Sequence, residues 1–191
     1  MELSMTDVLL THGYFLGEDE KEQAIMKPYP PLGLLYISAY LRCRGFSVAL
    51  FDSTFSTRAA LFETLRREAG GVLGLYTNLM TRQPVLEIIR VAKAHGWTVV
   101  LGGPESANYP VEYLRRGADV VVIGEGEETL SELLPALATQ GPQRLHGVLG
   151  TVFQDESGAI VTNPERPQIA NLDSIPWPDR TQIDLSHYID V

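Results

Sequence analysis

The sequence predicts a doubly wound α/β domain, a five-stranded parallel sheet with helices on both faces, followed by a small β-hairpin and an extended segment. Three observations lead there. Short apolar runs without polar alternation, the mark of strands buried on both faces, recur five times over residues 7–139. Each is followed by a stretch whose apolar residues fall at helical spacing or whose ends carry helix punctuation. A glycine or polar residue then closes each run, so that a right-handed parallel sheet would release all its exit loops along one edge.

Val8–Leu10 is the first strand, closed by Thr11-His12-Gly13. A polar loop carrying Glu18, Asp19, Glu20 and Glu22 leads to Pro28-Tyr29-Pro30-Pro31, which sets up a helix over Leu32–Arg44 ended by Gly45. Arg42 and Arg44 suit the negative end of its dipole, and Cys43, inside this helix, reads as core. Val48–Phe51 is the second strand, with Asp52 at its end. A helix over Thr57–Ala69 places Leu61, Leu65 and Ala69 on one face, and Gly70-Gly71 breaks it. Val72–Tyr76 is the third strand and Thr77-Asn78-Leu79-Met80 its exit. A helix with Pro84 near its start presents Val85, Ile88, Ile89 and Ala92 before Gly96.

The stretch from Trp97 to Leu134 organises the rest. Strand Thr98–Leu101 ends in Gly102-Gly103-Pro104-Glu105 and a short helix follows over Val111–Arg116. Strand Val120–Ile123 then ends in Gly124-Glu125-Gly126-Glu127, opening a helix to about Thr139. Glycine keeps no Cβ between backbone and ligand, so two neighbouring strands ending this way make a floor for something flat or phosphate-bearing. Beyond Gly141-Pro142, Leu149–Gln154 and Ala159–Thr162 flank Asp155-Glu156-Ser157-Gly158, a hairpin signal. Prolines 164, 167, 176 and 178 mark residues 163–191 as an extended strap or linker, with Trp177 as its expected anchor. The expected units are therefore residues 1–145, the hairpin 146–162 and the linker 163–191.

Composition narrows the function. The chain has 191 residues, 45% hydrophobic and 20% charged, enough for a substantial core. A net charge of −9 with no basic block argues against nucleic acid. One cysteine excludes an internal disulfide or a cysteine metal cluster made by this chain alone. Glu2 and Asp7 leave only a short apolar strand at the start of the chain, and no run is long enough to span a bilayer, so no signal peptide and a cytoplasmic location are expected.

Position along the sheet edge makes His12, Gly13, Asp52, Thr77, Asn78, Leu79, Met80, Gly102, Gly103, Pro104, Glu105, Gly124, Glu125, Gly126 and Glu127 the candidate site. Gly124-x-Gly126-x-x-Thr129 imitates a dinucleotide fingerprint but follows the fifth strand instead of the first. His12 offers a metal ligand or an acid–base group, but a lone histidine in a loop is more often just a polar loop residue. Asp52 can cap the next helix, and Glu125, Glu127 and Glu128 suit a helix amino end. No catalytic triad or paired carboxylates are legible. A phosphoacceptor receiver domain fails, because Thr11-His12 and Thr77-Asn78 stand where its acids belong.

Pro30-Pro31-Leu32-Gly33-Leu34-Leu35-Tyr36, Gly102-Gly103-Pro104 and Gly124-Glu125-Gly126-Glu127-x-Thr129-Leu130 resemble the amino-terminal domain of the cobalamin-binding radical SAM enzymes. Leu172-Asp173-Ser174-Ile175-Pro176-Trp177-Pro178-Asp179-Arg180 resembles the junction that leads into their barrel. The resemblance implies a flavodoxin-like (Rossmann-like) domain holding cobalamin at the carboxyl edge of its sheet. It also implies a following barrel with an iron–sulfur cluster on three cysteines that cleaves S-adenosylmethionine, in a methyltransferase or a cyclase acting on an unactivated centre. Thr77 to Leu79 and Gly102-Gly103 would face the nucleotide tail, and Gly124 to Glu127 the corrin amides. Gly103→Val is then expected to block the ligand and spare the fold.

Two departures qualify what carries over. The Asp-x-His-x-x-Gly pattern of other cobalamin proteins, whose histidine binds cobalt from below, is absent around His12, so the cofactor is expected with its own base detached and no protein histidine in its place. The three-cysteine motif is absent from the chain as well. The rival expectations are a self-contained domain binding a nucleotide or flavin, and a structural domain without ligand.

Overall fold

A computed structural model describes residues 6–18, 20–25, 28–68 and 70–189. Of the residues named from the sequence, Glu2, Asp19 and Ala69 lie outside the described residues. Strand β1 (Val8–His12) is followed by a 3-10 turn at Leu16–Glu18, α1 (Glu20–Ile25), α2 (Leu32–Cys43), β2 (Val48–Phe51), α3 (Arg58–Arg67), β3 (Val72–Tyr76) and α4 (Arg82–Ala94). Then come β4 (Thr98–Gly102), α5 (Pro104–Asn108), α6 (Pro110–Arg115), β5 (Val120–Val122), α7 (Gly126–Gln140), β6 (Thr151–Gln154), β7 (Ile160–Thr162) and, after two further 3-10 turns, α8 (Ser186–Ile189).

The sheet runs β2-β1-β3-β4-β5-β6-β7. The first five strands are parallel, as expected, and the hairpin joins the same sheet antiparallel through Val120↔Phe153 and Val121↔Val152. Successive side chains of each strand point to opposite faces. Leu9, Leu73, Leu75, Val99, Leu101 and Val121 pack under α3, α4 and α6. Val8, Leu10, Val100, Val120 and Val122 pack under α2 and α7. This two-sided burial is why the strands read as unbroken apolar runs.

Local chemistry places the helices. Thr57 caps α3, its hydroxyl accepting from the Ala60 N–H at 3.2 Å. Trp97 is buried against α3, its indole N–H donating to the Leu65 carbonyl at 2.8 Å. Asp119 accepts from the Val99 N–H at 2.8 Å and pairs with Lys93, joining β4 to the end of α4. Three helices were not expected, one of them α8, a single turn in the stretch read as an extended strap or linker. The polar stretch read as a loop contains α1, whose described side chains at Glu20, Lys21, Gln23 and Ala24 are exposed. These described side chains leave no apolar stripe to read, and Gln23 ties the helix back to the Leu16 carbonyl at 3.1 Å. Gly102-Gly103-Pro104-Glu105, read as a turn, starts α5 with proline in its first turn. Cys43, expected in the core, is exposed at the end of α2.

The hairpin is secured by Asn163, which is 8% exposed. Its side chain donates to the Leu145 carbonyl at 2.7 Å and to the Thr151 hydroxyl at 2.9 Å, and accepts from the Gly147 N–H at 3.1 Å. Asn163→Ala strands all three partners and should cost about 2–3 kcal/mol in urea unfolding. A loss under about 0.5 kcal/mol would show that water replaces the side chain.

Candidate functional site

Because β1 to β5 are parallel, their exits share one edge, and the chain order reverses direction where β1 lies between β2 and β3. A cleft of about 280 Å³ opens there between the sheet and the helices α2 and α7. Gly33, Leu34 and Ile37 of α2 form one wall, Tyr76, Gly102 and Gly103 the floor, and Gly124 to Glu127 with Leu130 the other wall. A second groove of about 420 Å³ adjoins it, sharing Gly33, Leu34 and Tyr76 and adding His12, Tyr14, Tyr29 to Leu32, Thr54, Asn78 and Thr81. Tyr76 is partly exposed, and Leu79 and Met80 stand 71% exposed in the loop after β3.

Of the residues read from the sequence, Gly102, Gly103, Gly124, Glu125, Gly126 and Glu127 line the cleft, and His12 and Asn78 line the groove. Gly13, Asp52, Thr77, Leu79, Met80, Pro104 and Glu105 line neither. Gly13 packs so tightly that a Cβ would sit 2.7 Å from Val85. Thr77 is buried, its N–H donating to the Gly102 carbonyl at 2.9 Å. Glu105 is buried, and its Oε1 pairs with Arg82 Nε at 3.2 Å without the alignment of a hydrogen bond. Sequence reasoning did not assign Gly33, Ile37 or Tyr76 to the site. Gly33 stood in a stretch used only for resemblance, and a glycine in a first helical turn was its one local signal.

The glycines divide into two kinds. A Cβ on Gly33, Gly102 or Gly124 would meet no protein atom within 4 Å, so at these positions the cleft reaches bare backbone. Gly103 differs. Its φ is +101°, and a Cβ there would lie 2.3 Å from the Thr77 carbonyl oxygen and within 2.9 Å of the Tyr76 ring. The expectation that Gly103→Val would spare the fold is therefore overturned, because the added atoms collide with the protein itself. Gly102 is the position whose side chain would project into free space.

His12 is 5% exposed and committed on both ring nitrogens. Nδ1 accepts from the Tyr14 N–H at 3.2 Å, which leaves Nε2–H to donate to Asp52 Oδ1 at 3.2 Å. Asp52 Oδ2 accepts from the Tyr188 hydroxyl at 2.5 Å, and Oδ1 also accepts from the Thr54 N–H at 3.0 Å. Burial opposes the Asp52 charge, but the bonds from His12, Tyr188 and Thr54 outweigh it and hold its pKa down at about 2. Burial raises Tyr188, and the Asp52 carboxylate raises it further. In the cleft, burial raises the Glu127 pKa and the neighbouring charge of Glu125 adds to it, partly offset by backbone N–H groups at the start of α7.

Two stability measurements follow. Gly103→Ala should cost about 2 kcal/mol or more, whereas Gly102→Val should stay within about 1 kcal/mol of wild type; equal losses would contradict the distinction. Because the Asp52 pKa is depressed on folding, its contribution is present above the unfolded carboxylate value near about 4 and is lost as pH falls through about 2. Asp52→Asn should flatten the pH dependence of stability in that window by about 2 kcal/mol. An unchanged acid limb would remove Asp52 from the account.

A family model describing the B12 binding domain matches residues 25–134. The chain is 31% identical over 166 residues to the uncharacterized methyltransferase PH0819 of Pyrococcus horikoshii, covering 83% of this chain and 35% of that protein. It is 30% identical over 106 residues to the uncharacterized methyltransferase sll1242 of Synechocystis, covering 56% of this chain and 17% of that protein. The chain thus spans about a third or less of these relatives. Among solved structures, the cobalamin-dependent S-adenosylmethionine radical enzyme OxsB with aqua-cobalamin bound superposes with a TM-score of 0.79 at 20% identity, over 98% of this chain and 26% of that one. Its apo form superposes at 0.75 and 21% identity, over 98% and 25%. At such identity the match establishes the fold, and no helix among the described residues is long and apolar enough to cross a membrane. Fold, glycine-floored cleft and family match converge, and the chain belongs to the B12-binding domain family.

Proposed function

We propose that this chain is the cobalamin-binding part of a longer, cytoplasmic radical SAM enzyme that carries out methyl transfer or ring formation at an unactivated centre. The observation that carries the site assignment is the mostly apolar cleft where Gly33, Gly102 and Gly124 leave backbone uncovered. A nucleotide tail suits that cleft, since it needs depth, apolar walls and close backbone approach. The corrin would lie over the adjoining groove and the exposed Leu79 and Met80, with α7 offering its first N–H groups to the corrin amides at Gly124 to Glu127. Of the residues set along the edge, Gly102, Gly124, Gly126, Glu125, Glu127 and Asn78 are the proposed contacts, while Gly103, Thr77 and Asp52 shape them.

Bound cobalamin supplies a cobalt centre able to accept and pass on a methyl group. This chain's own residues bind and orient it. His12 is held by Asp52 and the Tyr14 N–H, so neither nitrogen is free to bind cobalt. S-adenosylmethionine and an iron–sulfur cluster belong to the proposed barrel beyond residues 163–191. The names of the two relatives favour methyl transfer. The likeness to OxsB, a cobalamin-dependent S-adenosylmethionine radical enzyme, favours the radical SAM partner domain.

Incubation with hydroxocobalamin followed by desalting should leave a coloured wild-type protein, and Gly102→Val should weaken binding at least about tenfold. A colourless wild type would sink the proposal, as would a Gly102→Val protein that binds normally. The cob(II) form should show no histidine-derived nitrogen splitting in its electron paramagnetic resonance spectrum. Splitting that His12→Ala abolishes would make His12 the lower ligand.

A further inference from the structure

Residues 163–189 cross the molecule as a mainly irregular strap, and their contacts fall where the site is built. Arg166 donates to the Thr129 hydroxyl at 2.8 Å and pairs with Glu132 on α7, and the Ile169 N–H donates to Glu125 Oε2 at 2.7 Å. Glu125 is a wall residue of the cleft. Farther on, the Asp179 N–H donates to the Leu35 carbonyl at 3.0 Å, and its carboxylate accepts from the Ser38 hydroxyl at 3.0 Å and pairs with Arg42 at 3.4 Å. These partners alternate along α2 with Leu34 and Ile37, which face the cleft. At its end the strap gives Tyr188 to Asp52, the partner of His12, with Phe55 edge-on to the Tyr188 ring at 4.8 Å.

Each anchor is thus one residue or one hydrogen bond removed from the site lining. The anchors are mostly polar. Trp177, the expected anchor, is 85% exposed, and Leu172 is 66% exposed. Asp179 holds this part of the strap instead, because its carboxylate meets donors on α2 while the indole faces outward. A strap held by a few modest polar contacts docks reversibly, and its docking responds to whatever else favours the docked arrangement.

We propose that this strap is a brace for the cofactor site: Asp179 and Tyr188 are positioning residues that fix α2 and the His12–Asp52 pair, and strap docking and cobalamin binding strengthen each other. This rests on the placement of cobalamin at the carboxyl edge. Coupling of this kind is reciprocal, so ligand must protect the strap by the factor by which strap docking tightens ligand binding.

The 191-residue chain is titrated with hydroxocobalamin and separately treated with trypsin, which cuts after the exposed Arg180. In wild type, cofactor should slow that cut at least about fivefold. Asp179→Ala and Tyr188→Phe should each speed the cut in the free chain and weaken binding by about fivefold to twentyfold. Asp179→Asn, which keeps an acceptor for Ser38, should recover most of the affinity. Gly102→Val should lose cofactor protection while its free strap is cut at the wild-type rate, which separates the cleft from the brace. If Asp179→Ala does not fold, Tyr188→Phe decides, since it removes one hydroxyl near the chain end. Strap variants that open faster yet bind as wild type overturn the brace alone. A wild type that takes no cofactor overturns both it and the site.

Discussion

Parallel strand pairing is the constraint from which the rest follows. Each crossover must return the chain to the same end of the sheet before the next strand begins, so every exit loop is delivered to one edge. The backbone N–H groups at the start of α7, the first turn of α2 and the bare backbone of Gly102 meet at that edge for no other reason. The sheet faces are filled by side chains from both helix layers. The cleft and the groove open at the edge, where Gly33, Gly102 and Gly124 leave backbone uncovered.

Much of this was legible in the sequence because two-sided burial writes itself as unbroken apolar runs. Strands β2 and β3 fall on the expected residues, Val48–Phe51 and Val72–Tyr76. What was not legible has physical reasons. Helix α1 exposes its described side chains and so carries no periodicity. Pro104 signals a turn and a first helical turn equally well, and only the packing of Gly103 against Thr77 and Tyr76 tells which. The same packing separates Gly102, which faces the cleft, from Gly103, which faces the protein. Adjacent identical letters cannot carry that difference.

The polar contacts that join distant parts of the chain were least legible. Asp52 and Tyr188 are 136 residues apart, and Ser38 and Asp179 are 141 apart. A single hydrogen bond between remote side chains leaves no local pattern, whereas the hairpin and the helices do. His12 shows what this costs. From sequence it was a ligand, an acid–base group or a loop residue. Two bonds, from the Tyr14 N–H and to Asp52, remove its free nitrogen and with it the first of those readings in this arrangement.

The central claim is that cobalamin occupies the carboxyl edge of the sheet. The most direct measurement is the amide spectrum of the chain labelled isotopically at glycine, titrated with hydroxocobalamin. Gly33, Gly102, Gly124 and Gly126 should shift together on binding. Gly45 and Gly96 at the opposite edge and Gly158 in the hairpin turn should stay in place. Shifts confined to Gly45, Gly96 or Gly158, or binding that moves none of the cleft glycines, would contradict the account.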